Sequence, residues 1–220
     1  MSPPAPITAE GPHSPISRPQ QGQPLPGGRG LSLIRARVHE ICGPARMALA
    51  ALVLSESQGP VLWISPGWQA ERLYPPGLRE FADPGRIIFA RARRPEDILW
   101  SAEEALRSGA VPMVVVELAD PPGLTPVRRL HLAAETGAEA ARHRGRLAPL
   151  GLLLTPGQGG AQGVESRWHM AARPSSSTLL ERRAVWELTR LRARMAPPAR
   201  WQVARDGAGA ITLDPLAVEG

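Results

Sequence analysis

Two short stretches carry the residue types that phosphate and magnesium chemistry needs. In VHEICGPARMALAALVL, residues 38–54, an apolar run precedes Gly43 and Pro44, and a helix-like stretch rich in Ala and Leu follows them. This order is the outline of a strand, a phosphate-binding turn and a helix. Further along, the apolar run MVVVEL contains Glu117, where the magnesium-binding carboxylate of a nucleotide hydrolase would stand. The two stretches together raise the question of a nucleotide site.

The turn lacks most of the groups that hold a phosphate. Such a loop needs glycines that let backbone N–H groups converge on the anion, a lysine, and a Ser or Thr for magnesium. Here Gly43 is present, Pro44 follows, and Arg46 is the nearest cation, but the second glycine, the lysine and the hydroxyl are missing. A bare helix N-terminus contributes about 0.3–1 kcal/mol toward an anion, whereas micromolar affinity requires about 8 kcal/mol. We therefore predict a vestigial phosphate loop, no cofactor and no enzymatic activity, with Glu117 an acid at the solvent end of a buried strand.

Composition excludes several other kinds of chemistry. All 26 basic residues are Arg, so no mechanism can use a lysine, and the net charge is +6. The single cysteine, Cys42, excludes an internal disulfide and fits a reducing compartment. No pair among the five His has metal-ligand spacing, and no apolar run approaches the roughly 18 residues of a membrane span. We expect a cytoplasmic protein without a metal centre or a membrane partner.

The candidate residues need a scaffold, and the hydropathy pattern predicts one. Strand-like apolar runs occupy residues 38–42, 61–65, 86–90, 111–118 and 150–155. Helix-like segments cover 45–57 and 95–108, and a third begins with Thr125 as N-cap and Pro126 as first helical residue. Continuous apolar strands alternating with helices predict an α/β fold with a mainly parallel sheet flanked by helices.

The pattern changes after Gly157. The segments SRWHMAARP, VWELTRLRA, RWQVARD and AITLDP are short, alternating and bounded by turns, which predicts antiparallel strands appended to one sheet edge. The second of these also fits a helical stripe, but Pro197 and Pro198 before a Trp-containing run favour a hairpin, so we assign 185–193 to a strand. The intervening segment TPGQGGAQG, 155–163, has no positive charge and is interpreted as a flexible connector.

The N-terminal 30 residues differ in composition from the rest. They contain eight Pro and five Gly and almost no apolar periodicity, so they cannot bury enough surface to offset their ordering entropy. We predict a disordered tail over 1–30 and one folded domain over 31–220.

A series of words in the sequence resembles a known family. These words appear in order: LPGG, HEICGPA, VLWI, LYPPGL, RARRPEDILWSAEEALRSGAV, VVVEL, RRLHLAAETG, LLLTPG, RWHMA and WELTRLRARM followed by RWQV. Together they resemble the RecA-related ImuA-type proteins of bacterial inducible-mutagenesis cassettes, over about residues 25–213. The resemblance implies a RecA-like core with a degenerate P-loop. The chain departs from many relatives by an insertion at 138–149, which leaves the end of the third helix open.

The resemblance also implies a function. It predicts a non-catalytic accessory protein of SOS-induced, error-prone translesion DNA synthesis, acting in the DNA-damage response. The expected partners are an ImuB-type, Y-family-like protein and a C-family DNA polymerase catalytic subunit, and RecA and an indirect or weak contact with DNA also fit. Two alternatives stay open: a SulA-like, RecA-related inhibitor of cell division, and a DNA-dependent ATPase with a non-standard nucleotide site.

The C-terminal strands carry the candidate partner surface. Strand alternation would put Arg190, Arg192 and Arg194 on one side, with Trp186 and Trp201 nearby, at an accessible sheet edge. Trp and Arg are the residue types most enriched where binding energy concentrates. The competing interpretation is that the Trp side chains pack the hairpin while the Arg side chains protect the edge.

Overall fold

A nine-stranded sheet with helices on both faces organises the chain. The computed structural model describes residues 22–27, 30–69, 73–174 and 184–217. In chain order the elements are β1 (Gly22–Pro24), β2 (Ser32–Ile34), β3 (Val38–Cys42), α1 (Arg46–Ser55), β4 (Val61–Pro66), α2 (Pro75–Leu78), β5 (Ile87–Ala92), α3 (Pro95–Ser108), β6 (Met113–Glu117), α4 (Leu124–His143), β7 (Leu150–Leu154), β8 (Ser166–Arg173), β9 (Ala184–Ala193), β10 (Ala199–Arg205) and β11 (Ile211–Leu216).

The strand order of the large sheet is β11-β10-β9-β8-β3-β7-β6-β4-β5. The six strands from β8 to β5 are mutually parallel, and β9, β10 and β11 continue the sheet in antiparallel fashion. A mostly parallel sheet flanked by helices, with antiparallel C-terminal strands, is therefore confirmed. One detail of the prediction is wrong, because β8 pairs in parallel with β3 and is antiparallel only to β9.

The two faces of the sheet bury two separate apolar clusters. One cluster contains α1 together with Trp63, Leu152 and Trp168, and the other contains residues of α3 and α4. Adjacent strand residues alternate between them, as Val114 and Val115 of β6 do. Because both faces are covered, β3, β6 and β7 are almost entirely buried, which explains the continuous apolar runs of β6 and β7.

The five predicted parallel strands all exist, with bounds shifted by at most two residues at either end. The predicted start of the third helix is wrong: α4 has Gly123 as its N-cap, and the Val127 N–H bonds the Gly123 carbonyl at 3.4 Å. Residue 125 thus lies inside the helix. The helix continues to His143, so α4 includes the first half of segment 138–149.

The N-terminal segment joins the fold earlier than its composition predicts. Residues 22–24 pair with β2, and the buried Gln23 side chain accepts a hydrogen bond from the Arg35 guanidinium. Arg35 also donates to the carbonyls of Pro112 and Ala148, at 2.9 Å each. The predicted disorder is therefore wrong for residues 22–27, and residues 1–21 lie outside the described part of the chain.

Candidate functional site

The turn after β3 is shaped by contact with β8. Gly43 has φ +92°, a left-handed conformation that favours glycine. A Cβ at this position would lie 2.4 Å from the Met170 carbonyl oxygen and 2.8 Å from ring atoms of His169. The glycine is thus required by the close approach of a neighbouring strand, where a phosphate loop would use it to admit a ligand.

The first backbone groups of the turn and helix α1 are engaged inside the protein. Pro44 has no N–H, the Ala45 N–H donates to the Met170 carbonyl at 3.0 Å, and the Arg46 N–H donates to the Gly43 carbonyl at 3.2 Å. The Arg46 guanidinium bonds the same Gly43 carbonyl at 3.4 Å. A phosphate needs such N–H groups to point toward it. The arrangement therefore fastens the turn to β8 and engages the N–H groups of residues 45 and 46 within the protein, so that neither is free for an anion.

Glu117 is the last residue of β6, and β7 lies between β6 and β3 in the sheet. Its carboxylate accepts a hydrogen bond from the Trp63 indole. Glu117 lines a cavity of about 350 Å³ together with Phe89 and Arg91, and no residue of the Gly43 turn lines it. The Arg91 guanidinium donates hydrogen bonds to the carbonyls of residues 67 and 69, at 2.8 and 2.9 Å, and these bonds hold it in place.

The most polar buried cluster surrounds Glu40, which the sequence analysis did not single out. Glu40 lies in the middle of β3 with 0% of its surface exposed. Its carboxylate accepts hydrogen bonds from the Thr155 hydroxyl at 2.7 Å, the Gly160 N–H at 2.8 Å, the Ala161 N–H at 3.1 Å and the Arg167 guanidinium. A buried carboxylate is tolerated only when it is paired and hydrogen-bonded in this way.

This cluster changes the interpretation of segment 155–163. The segment was predicted as a flexible connector, but Glu40 holds its backbone directly against the sheet. Gly159 has φ +72°, and a Cβ there would lie 2.7 Å from a Glu40 oxygen, so glycine permits the close approach. The available signal was an acid inside an otherwise apolar strand, because a charge in a buried strand requires partners elsewhere in the chain.

His39, on the opposite face of β3, belongs to a second buried network. Its Nε2 lies 2.9 Å from the Ile34 carbonyl, which can only accept, so Nε2 carries the proton of the neutral ring. Nδ1 then accepts from the Ser166 hydroxyl at 2.6 Å, and Ser166 accepts from the Trp168 indole at 2.7 Å. Burial lowers the pKa of His39 to about 4. The ring is therefore a neutral packing residue that ties β3 to β8 and to the segment after β2.

Other groups that could carry chemistry are also structural. Cys42 is buried, and burial, followed by the nearby Glu40 charge, raises its pKa to about 12, so it is not a nucleophile. Within the described residues, no three His, Cys, Asp or Glu side chains come together in a group that could hold a metal ion. In the same part of the chain, no helix is long and apolar enough to cross a membrane.

The predicted alignment of the three C-terminal arginines is wrong. Between Arg190 and Arg192 the pairing with β8 shifts by one residue, so that Arg190 lies opposite Trp168 and Arg192 lies opposite Arg167. Cross-strand partners share a face, and adjacent residues of β8 face opposite ways. Arg190 and Arg192 therefore lie on opposite faces of the sheet. Arg194, beyond the strand, lies 3.5 Å from the Glu165 carboxylate.

Arg190 packs inside the hairpin with two of the tryptophans. Its guanidinium carbon lies 5.6 Å from the centre of the Trp168 ring and 5.2 Å from that of Trp201, and its Nε donates to the Pro197 carbonyl at 2.9 Å. Burial lowers the pKa of Arg190. Trp201 is 8% exposed, and Trp186 packs against the same core. Trp186 and Trp201 match the packing interpretation of the hairpin, whereas Arg190 packs against Trp rings in an interior strand and does not protect an edge.

The prediction that the Trp and Arg residues of the partner surface lie on a strand at the edge of the sheet is also wrong. β9 and β10 are interior strands of the sheet, and β11 is the terminal strand on that side. Main-chain groups of β9 and β10 are therefore already paired on both sides. Arg192 and Arg194 remain exposed, and their role in partner binding stays a prediction.

Comparison with known proteins finds a likeness in structure and no match to a family. The chain matches no protein-family model and no curated protein. Among solved structures, SulA from Pseudomonas aeruginosa resembles it with a TM-score of 0.42 and 23% identity, over 55% of this chain and 98% of SulA. A likeness of this size carries no argument about activity, so function must be argued from the motifs and the site geometry.

Proposed function

We propose that this chain is a non-catalytic accessory protein of SOS-induced, error-prone translesion DNA synthesis. The observation that supports the non-catalytic part is the turn at Gly43. There Pro44 has no N–H, and the N–H groups of residues 45 and 46 are bonded within the protein. A scaffold with the strand–turn–helix outline of a nucleotide-binding fold, but with its anion cradle closed, fits an adaptor better than a hydrolase.

The assignment to a RecA-like core with a degenerate P-loop rests on two supports. One is the motif series that resembles ImuA-type proteins. The other is the sheet order, in which β7 separates the strand before the turn from the strand that ends in Glu117. In this proposal the adaptor joins an ImuB-type, Y-family-like protein to a C-family polymerase subunit, with RecA as a further partner and with indirect or weak DNA contact.

A deletion strain tests the pathway. Removing the gene should lower the frequency of mutations induced by ultraviolet light, and lower survival, while homologous recombination continues. Restoring the wild-type gene should restore mutagenesis, and a Glu117→Gln variant should restore it equally well because Glu117 has no catalytic role in this proposal. An unchanged induced mutation frequency in the deletion strain would exclude translesion synthesis.

A second phenotype separates the SulA-like alternative. Overproduction of an inhibitor of cell division should produce long filamentous cells even in undamaged cultures. An adaptor for polymerases should leave cell length normal under the same conditions. Filaments combined with normal induced mutagenesis in the deletion strain would favour the division inhibitor.

A further inference from the structure

Two grooves of opposite charge run along helix α4 on the outer surface of the helical layer formed by α3 and α4. The first, the acidic groove, lies between α3 and α4, encloses about 650 Å³ and is lined in part by Glu96, Asp97, Trp100, Glu103 and Arg129. The second, the basic groove, encloses about 480 Å³ and is lined in part by Arg37, Leu124, Arg128, Leu132, Glu135 and Arg194. The α4 residues of the two grooves lie on different sides of that helix.

The charges of the two grooves are complementary. Among the lining residues, the acidic groove has three carboxylates and one guanidinium, and the basic groove has three guanidinium groups and one carboxylate. Most of these charges are paired within the chain: Glu96 and Glu103 with arginines, and Arg37 and Arg194 with glutamates. Among the described residues, Asp97 and Arg128 form no ion pair, so one uncompensated charge stays in each groove, negative in the acidic groove and positive in the basic groove.

Large apolar side chains are exposed beside these charges. Trp100 is 60% exposed, Leu132 is 63% exposed and Leu124 is 42% exposed. Trp100 lies away from the buried stripe of α3, which consists of Ile98, Ala102, Glu103 and Leu106. It therefore contributes little to the core, and tryptophan is the residue type most often found at the energetic centre of an interface.

We propose that this helical face binds a second copy of the chain, as a symmetric dimer in which each acidic groove faces the partner's basic groove. A two-fold axis parallel to α4, lying between the two molecules, exchanges the left and right sides of the face. Because the grooves lie on opposite sides of α4, this rotation pairs acidic with basic twice in one interface. An isologous contact of this kind closes at two subunits.

The size of the face agrees with a stable dimer. A 20-residue helix such as α4 is about 30 Å long. Two packed helices with their flanking grooves span about 20 Å, given interaxial distances of 8–10 Å. The flat area is thus about 600 Å² per copy before side-chain relief is added, close to the roughly 800 Å² per partner of standard interfaces.

Charge reversal on one groove at a time tests the pairing. The acidic-groove variant is Glu96→Arg with Asp97→Arg, and the basic-groove variant is Arg128→Glu with Arg194→Glu. Sedimentation of the purified full chain between about 1 and 100 μM should show a dimer for the wild type. Each variant alone should dissociate at least tenfold more readily, because both of its contacts become repulsive. Mixed in equal amounts, the two variants should form a heterodimer, because both contacts become attractive again.

Controls separate this interface from a general charge effect. Glu56→Arg and Arg79→Glu are exposed positions in the elements that cover the opposite face of the sheet, and they should leave the dimer unchanged. Leu132→Gln replaces an exposed apolar side chain with a polar one that suits a helix, and it should also weaken the dimer. This variant tests the interface independently if the charge variants fail to fold. A wild-type monomer at 100 μM, reversal variants that still dimerise, or a mixture that stays monomeric would each overturn the proposal.

Discussion

The carboxylate of Glu40 and the guanidinium of Arg167, 127 positions apart in the chain, form an ion pair between neighbouring parallel strands. Glu40 is completely buried, whereas the Arg167 side chain is 19% exposed. The same carboxylate also holds the backbone at Gly160 and Ala161. One acid therefore links β3, β8 and the loop after β7.

Replacing this acid should destabilise the protein strongly. Glu40→Gln removes the charge, leaves Arg167 without its counter-ion and is expected to lower the free energy of unfolding by about 3 kcal/mol. Urea denaturation monitored by tryptophan fluorescence measures the change. Glu56→Gln, an exposed carboxylate after α1, is the matched control and should change stability by less than about 0.5 kcal/mol. A loss below 1 kcal/mol in Glu40→Gln would contradict the network.

The glycines of segment 155–163 should differ in their tolerance of a side chain. Gly157 and Gly159 both have positive φ values, +59° and +72°, but only Gly159 has a neighbour in the way, a Glu40 oxygen at 2.7 Å from the added Cβ. Gly159→Ala should therefore cost at least about 1 kcal/mol more than Gly157→Ala, which carries the conformational strain alone. Equal unfolding free energies for the two variants would show that Glu40 does not hold the loop tightly.

The free energy of unfolding should decrease as the pH is lowered below the ordinary pKa of histidine. The pKa of His39 is lowered from 6.5 to about 4, so the unfolded chain binds a proton between these values and the folded chain does not. The free energy of unfolding keeps its full value above pH 6.5 and falls by about 3 kcal/mol as the pH drops toward 4. Each of the 2.5 pH units between the two pKa values corresponds to about 1.36 kcal/mol. Burial shifts His131 in the same direction. Urea midpoints from pH 7.5 to 4.5 should show a much shallower slope in His39→Gln and an unchanged slope in His143→Gln, an exposed control.

Nucleotide should not bind at the turn after β3. We expect calorimetry with magnesium and up to about 1 mM ATP to detect no binding, because the N–H groups of residues 45 and 46 are already engaged. Gly43→Ala should instead unfold the protein more easily than Gly30→Ala, since Gly43 is crowded by the Met170 carbonyl whereas Gly30 has no neighbour within 4 Å. Micromolar ATP binding that disappears in Glu117→Gln would restore the hydrolase interpretation.

The two arginines on either side of the β9 irregularity should behave differently. Arg190→Glu replaces a guanidinium that lies over the Trp168 and Trp201 rings with a carboxylate and should cost about 1–2 kcal/mol of stability. Arg192→Glu changes an exposed residue that lines neither groove of the proposed dimer, and it should leave the fold intact. This variant is therefore the clean probe of partner binding at Arg192: if it still captures the polymerase partners from cell extract, the surface lies elsewhere. Equal destabilisation by both changes would contradict the assigned faces.

Much of the scaffold was predictable because it depends on local pattern. The apolar run at 150–155 indicated a strand covered on both faces, and Pro95 with Gly109 marked both ends of α3. The prediction of a degenerate phosphate loop rests on the absence of lysine and of a second glycine, which is likewise a property of composition and spacing. Each of these inferences needs only neighbours in the chain.

Tertiary structure decided the points that depend on distant partners. Sequence alternation put Arg190 and Arg192 on one side, but the shifted pairing with β8 separates them, and a shift of register is a property of two strands together. The ordered strand at residues 22–24 depends on Arg35 and on carbonyls far along the chain. The role of Glu40 likewise appears only when β8 and the loop after β7 reach it, because burial of a charge is stabilised by groups that the linear order does not bring together.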